Sequence, residues 1–129
     1  MENKRQFNLD QRLIDFASTI IDMVDALPKN ISANHLASQV VRSGTAPALH
    51  YGEAQGAESR KDFIHKMKIG LKELRETYSC LRIIELKVWI EKSMMSTIIN
   101  ENNELIAIFV KSIETAKNNL EKESLHKSK

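Results

Sequence analysis

The feature that most constrains this chain is a hydrophobic period of three to four residues, which recurs in four long blocks and never gives way to strict alternation. In the first block Leu13, Phe16, Ile20, Val24 and Leu27 follow one another at three- and four-residue steps, while Asp15, Asp22 and Asp25 lie off that stripe. Apolar residues spaced this way line one side of an α-helix, so an amphipathic helix is expected from about Leu9 to Leu27. Pro28 ends it, because proline disfavours helical geometry in the residue before it and has no N–H for the ladder.

The second block, about Ser32 to Gln55, carries Leu36, Val40, Ala48 and Tyr51 on one face. Its middle is the small-residue run Ser43, Gly44, Thr45, Ala46, Pro47, Ala48. Pro47 removes the bond to the Ser43 carbonyl and presses its ring against it, so a kink or break is expected there, with close approach of a neighbouring helix. Ser59 followed by Asp62 resembles a capping signal for a third helix to about Glu85. Ile64, Met67, Leu71, Leu74, Tyr78 and Leu81 form its apolar stripe, and Gly70 is its one breaker. After a lapse near Leu86 to Lys92, Ser93 or Ser96 can cap a fourth helix, with Ile98, Leu105, Phe109, Ile113, Ala116 and Leu120 as the buried face and Asn102 as a polar intruder.

Four such segments on short connectors predict an all-α, up-down-up-down four-helix bundle with its second helix kinked or broken near Pro47. At 129 residues one core is expected. Residues 9–120 are assigned to the bundle, 1–8 to a flexible N-terminus and 121–129 to a flexible charged tail.

Composition narrows the function classes. Nineteen Lys plus Arg against seventeen Asp plus Glu leave a formal charge of +2, too little by itself to announce a nucleic-acid binder, so any electrostatic role must come from local pattern. The single cysteine, Cys80, has no partner in the chain, and the first ten residues are polar rather than a secretory leader, which leads us to expect a cytoplasmic protein. No apolar run approaches the roughly 20 residues of a membrane span.

Short motifs in the middle of the chain are more specific. Arg42-Ser43-Gly44-Thr45 precedes Tyr51-Gly52-Glu53-Ala54-Gln55-Gly56-Ala57-Glu58-Ser59, then Lys61-Asp62-Phe63-Ile64-His65-Lys66 and Leu71-Lys72-Glu73-Leu74-Arg75-Glu76-Thr77. In this order the stretch from Leu36 to Ile84 resembles the four-helix bundle proteins related to those encoded in the intervening sequences of bacterial 23S ribosomal RNA genes. The resemblance implies a small helical bundle that assembles into a ring, a homopentamer being the known arrangement. A related branch serves as a nucleic-acid-binding accessory factor to the reverse transcriptase of diversity-generating retroelements, so a reverse transcriptase is one protein partner it implies. Pro47, His50 and Gly52 depart from the family's usual residues, which bears on the surface formed at that bend.

The charges of the third segment are sorted. At about 100° per residue Lys61, His65, Lys68, Lys72, Arg75 and Arg82 share one stripe, whereas Asp62, Glu73 and Glu76 share another. Such a row is the kind of array that binds RNA or DNA phosphates, and these six residues are the candidate nucleic-acid site. The competing reading is a solvated face neutralised by Asp62 with Lys66 and Lys72 with Glu76, in a protein-interaction module that binds no nucleic acid. No aromatic residue interleaves with the stripe for base stacking.

Catalysis, metals and cofactors are not expected. His35, His50, His65 and His126 lack ligand spacing, and Ser43-Gly44-Thr45 lacks the lysine of a phosphate loop. His50 and Glu53 are expected to form a structural hydrogen bond, and Glu53, partly buried, to need Arg42 or a backbone donor. Cys80 is expected as a buried thiol, and Met23, Met67, Met94 and Met95 as core or interface fillers. Ile21, Ile99, Ile106 and Ile108 lie beyond a single apolar stripe and suggest an interface between copies.

Overall fold

Residues 8–127 are described by the structure, a computed structural model. The flexible segments expected at 1–8 and 121–129 fall partly outside this range, at residues 1–7 and 128–129. Among the described residues there are four helices and no strand: α1 (Leu9–Asp25), α2 (Ile31–Gln55), α3 (Arg60–Lys87) and α4 (Lys92–Lys127). Each helix packs on the next in the chain, and α1 and α4 complete the circuit through a much looser edge. Short connectors between packed neighbours make this the expected antiparallel bundle.

The caps follow from side-chain chemistry. Asn30 accepts the Ala33 N–H through its side chain at 2.9 Å, and Ser59 Oγ accepts the Asp62 N–H at 3.0 Å, each satisfying a donor that the first helical turn leaves without a partner. At the other end of α3 the cap is Val88, held in the left-handed region at φ 55° and ψ 35°. Glycine ordinarily takes that position, since a β-branched side chain crowds its own backbone there.

The core is the inner face of all four helices. Leu13, Ile20, Met23, Met67, Leu74, Leu81, Ile84, Met95, Leu105 and Phe109 are essentially sealed from solvent, and each such side chain contributes on the order of 1.5–3 kcal/mol. In α1 Met23 takes the sealed position rather than the half-buried Val24. In α3 Leu71 and Tyr78 are likewise half-buried, while Gly70, Thr77 and Cys80 face inward. Ile99 is a core residue too, so it is not the interface residue it was expected to be.

The small residues of α2 have a packing role. Ser43, Gly44, Ala46 and Pro47 are all buried, and a methyl at Gly44 would lie 2.9 Å from Ile20 Cγ1, so α1 seats on α2 only because that position is bare. Gly70 does the same for α4, since a methyl there would lie 2.7 Å from Phe109 Cε2. The helix runs through Pro47 without the break that was one of the two expected outcomes. Proline costs the Ser43 carbonyl its helical donor, but burial between two helices holds the segment in place. Nearby, Thr77 Oγ1 lies 2.9 Å from Ser43 Oγ and 2.8 Å from the Glu73 carbonyl, which satisfies two buried hydroxyls across the α2–α3 contact.

Two limits of α4 differ from expectation. It begins at Lys92, ahead of both candidate capping serines, and it continues past Leu120 to Lys127. Arg60 Nη2 meets Glu123 Oε1 at 2.6 Å, tying the charged extension to the start of α3.

Candidate nucleic-acid interface

The buried residues of α3, from Ile64 to Ile84, define the side turned to the core, and the basic stripe lies on the opposite side. Lys61, His65, Lys68, Lys72, Arg75 and Arg82 are all exposed. The structure therefore sets the six on one outer face of one continuous helix.

Whether such a row carries a field depends on its neutralising partners. The expected Asp62–Lys66 and Lys72–Glu76 pairs are not made. Lys66 Nζ turns to Glu53 Oε1 at 3.3 Å, and Glu76 is taken, together with Glu73, by Arg42 of α2. Arg42 Nη1 lies 3.0 Å from Glu73 Oε2, and this hydrogen bond is the main cause that raises its already high pKa. The two carboxylates thus point to the α2–α3 groove and leave the outer face. Among the described residues, Lys61, His65, Lys68, Lys72 and Arg75 make no side-chain ion pair or hydrogen bond.

Arg82 is the exception. Its Nη1 donates to the Tyr78 hydroxyl at 2.8 Å, its Nε lies 3.2 Å from Glu85 Oε1, and the guanidinium sits 5.7 Å from the Tyr78 ring centroid. Beyond it the same face turns apolar, with Ile83 and Leu86 exposed at the end of α3. Leu86 opens the lapse of pattern expected there, and Ile83 lies just before it.

The other expected constellations resolve differently. His50 Nδ1 is 4.0 Å from Glu53 Oε1, too far for the expected hydrogen bond, and Nδ1 has no hydrogen-bond partner. Glu53 is exposed, and it is Lys66 rather than Arg42 that meets it. Cys80 is buried, and desolvation pushes its thiol pKa up, away from the thiolate a nucleophile needs. Met95 fills the core, whereas Met94 is about half exposed.

A second surface was invisible to local pattern. Along the loose α1–α4 edge Arg12 reaches across to Glu101 Oε1 at 2.6 Å and Glu104 Oε1 at 3.0 Å, and the Glu101 hydrogen bond is the largest cause raising its pKa. Beside it Leu9, Tyr51, Phe63 and Ile108 line an apolar groove. No contiguous stretch of sequence holds both sides of such a contact. Among the described residues no helix is long and apolar enough to cross a membrane, and no cluster of His, Cys, Asp or Glu is arranged to hold a metal.

Comparison with known proteins agrees with this architecture. The family profile described as 23S rRNA-intervening sequence protein matches residues 5–111. A crystal structure of a protein of unknown function from the S23 ribosomal protein family of Bacteroides thetaiotaomicron is similar at 29% identity and a TM-score of 0.75, over 81% of this chain and 96% of that one. No curated protein matches the chain.

Proposed function

Because this chain belongs to the family of 23S rRNA-intervening sequence proteins, we propose that it is a non-catalytic, homo-oligomeric accessory protein that holds RNA or DNA on the basic stripe of α3. The observation that carries this reading is the row Lys61, Lys68, Lys72 and Arg75, exposed and in no side-chain ion pair among the described residues, with Glu73 and Glu76 turned to Arg42. Cations in that state bind phosphates and release condensed counterions, which is the principal source of sequence-independent affinity for nucleic acid. A formal charge of +2 per chain understates the field, since assembly of copies repeats the row.

Assembly is supported by apolar side chains that the bundle leaves uncovered. Ile14 and Ile21, one heptad apart on α1, are 52% and 44% exposed, and Leu49 on α2 is 68% exposed. A pentameric ring is the arrangement we expect, and light scattering at micromolar concentration tests it, with a strict monomer as the opposing result.

A protein-interaction role without nucleic acid is the second reading. It is favoured by the apolar end of the bundle, where Ile31, Leu86 and Val88 are each more than three-quarters exposed. The triple variant K68E/K72E/R75E separates the two. All three sites are on the surface, so the fold should survive, as circular dichroism will show. Loss of salt-sensitive binding supports the first reading, and absence of binding in the parent chain removes it.

A further inference from the structure

We propose that the stripe takes double-helical nucleic acid, RNA or DNA, through its phosphate backbone and without reading sequence. This rests on the nucleic-acid reading above and narrows it to one class of ligand.

From Lys61 to Arg75 the row runs about 21 Å at 1.5 Å rise per residue, beginning in the first turn of a helix that continues without a break to Lys87. Each strand of a duplex sets a phosphate about every 3.4 Å along its axis, so roughly six phosphates of one strand span the same length. Four cations over that length are fewer than the phosphates a duplex presents along it, so a duplex can occupy all four at once. A duplex is stiff over about 50 nm and arrives already ordered, whereas a single strand must be straightened onto the row at an entropic cost.

Single-strand binders offset that cost by stacking bases on aromatic side chains set among the cations. Here Phe16 and Phe109 are in the core, and Tyr51 and Phe63 line the groove beside α1. Tyr78 is engaged by Arg82, and Trp89 is half-buried in the α3–α4 connector. Among the described residues none stands in the exposed row, so the face they form has charge and no stacking platform.

Lysine meets a phosphate as a compact point charge, whereas the planar fork of arginine is fitted to directional, bidentate contacts. The free cations are three lysines and Arg75, because Arg82 is held by Tyr78 and Glu85. Such a set, mostly point charges, favours the phosphate backbone over base edges.

Fluorescence anisotropy with the full chain tests this. The probes are duplex RNA and two duplex DNAs of unrelated sequence, each about 20 base pairs, and an oligouridylate of the same length, all at one salt concentration. We expect the duplexes to bind about tenfold or more tighter than the single strand, the two DNA sequences to agree within about twofold, and K68E/K72E/R75E to lose duplex binding. Equal or tighter binding of oligouridylate, or a strong preference between the two DNA sequences, overturns this inference while leaving the nucleic-acid reading in place. Absence of binding to every probe overturns both.

Discussion

Replacing Gly70 by alanine should destabilise the bundle, whereas the same change at Gly52 should stabilise it. Both glycines lie within helices, at positions where alanine is favoured by roughly 0.5–1 kcal/mol. At Gly52 nothing stands within 4 Å of the added methyl, so the backbone gain is realised. At Gly70 the methyl would sit 2.7 Å from Phe109 Cε2, about 1 Å inside normal contact, with His50 Cβ at 3.6 Å behind it. Phe109 is sealed in the core beside Tyr51, at a ring-centroid distance of 6.3 Å, so its ring cannot swing out and α3 must move from α4. Overpacking of this kind costs about 1–3 kcal/mol. The backbone gain is common to both variants, so their difference isolates that cost. Urea unfolding followed by circular dichroism should place the Gly70→Ala midpoint below the parent and the Gly52→Ala midpoint above it, with a melting-temperature gap of roughly 3–5 °C per kcal/mol. If Gly70→Ala is as stable as Gly52→Ala, the packing account of α3 against α4 is wrong.

Asn102 is sealed, with Nδ2 donating to the Leu74 carbonyl at 3.2 Å and Oδ1 left without a partner, so Asn102→Leu should be neutral or stabilising by up to about 2 kcal/mol in the same assay. Val88→Gly should gain on the order of 0.5–1 kcal/mol, because it relieves the left-handed backbone of an exposed side chain, and a loss would refute that reading. Burial raises the pKa of both Tyr51 and Cys80, so the native state binds these protons more tightly than the unfolded chain does. Their contribution is complete below the ordinary thiol and phenol values of 9.0 and 10.0, and stability should fall as pH rises through and above them. A melting temperature that rises from pH 8.5 to 10.5 would contradict this.

The helical period made most of the fold legible because it reports local geometry: the stripes of α1, α3 and α4 name Leu13, Phe16, Ile20, Met67, Leu74, Leu81, Leu105 and Phe109 correctly as core. In α2 the period is diluted by small residues, and its true inner face, including Ser43, Gly44 and Pro47, follows from what α1 and α3 press against it. Helix ends were less readable. Pro28 and Ser59 mark boundaries by their own chemistry, whereas α4 runs beyond Leu120, where Arg60 meets Glu123 across the bundle. The exposed row on α3 was visible because it too is periodic. That Glu73 and Glu76 turn away from it was not, since Arg42, the residue that draws them off, belongs to another helix. For the same reason Arg12 with Glu101 and Glu104 was beyond local reading.

If the unpaired outer row of α3 holds phosphates as proposed, duplex binding by the parent chain depends on salt, and that dependence is the most direct test. With Lys61, Lys68, Lys72 and Arg75 engaged, log K should fall linearly with log salt at a slope of about −3.6 per bound chain, near −0.9 for each neutralised phosphate. A slope near zero, or no measurable binding even at low salt, would contradict it.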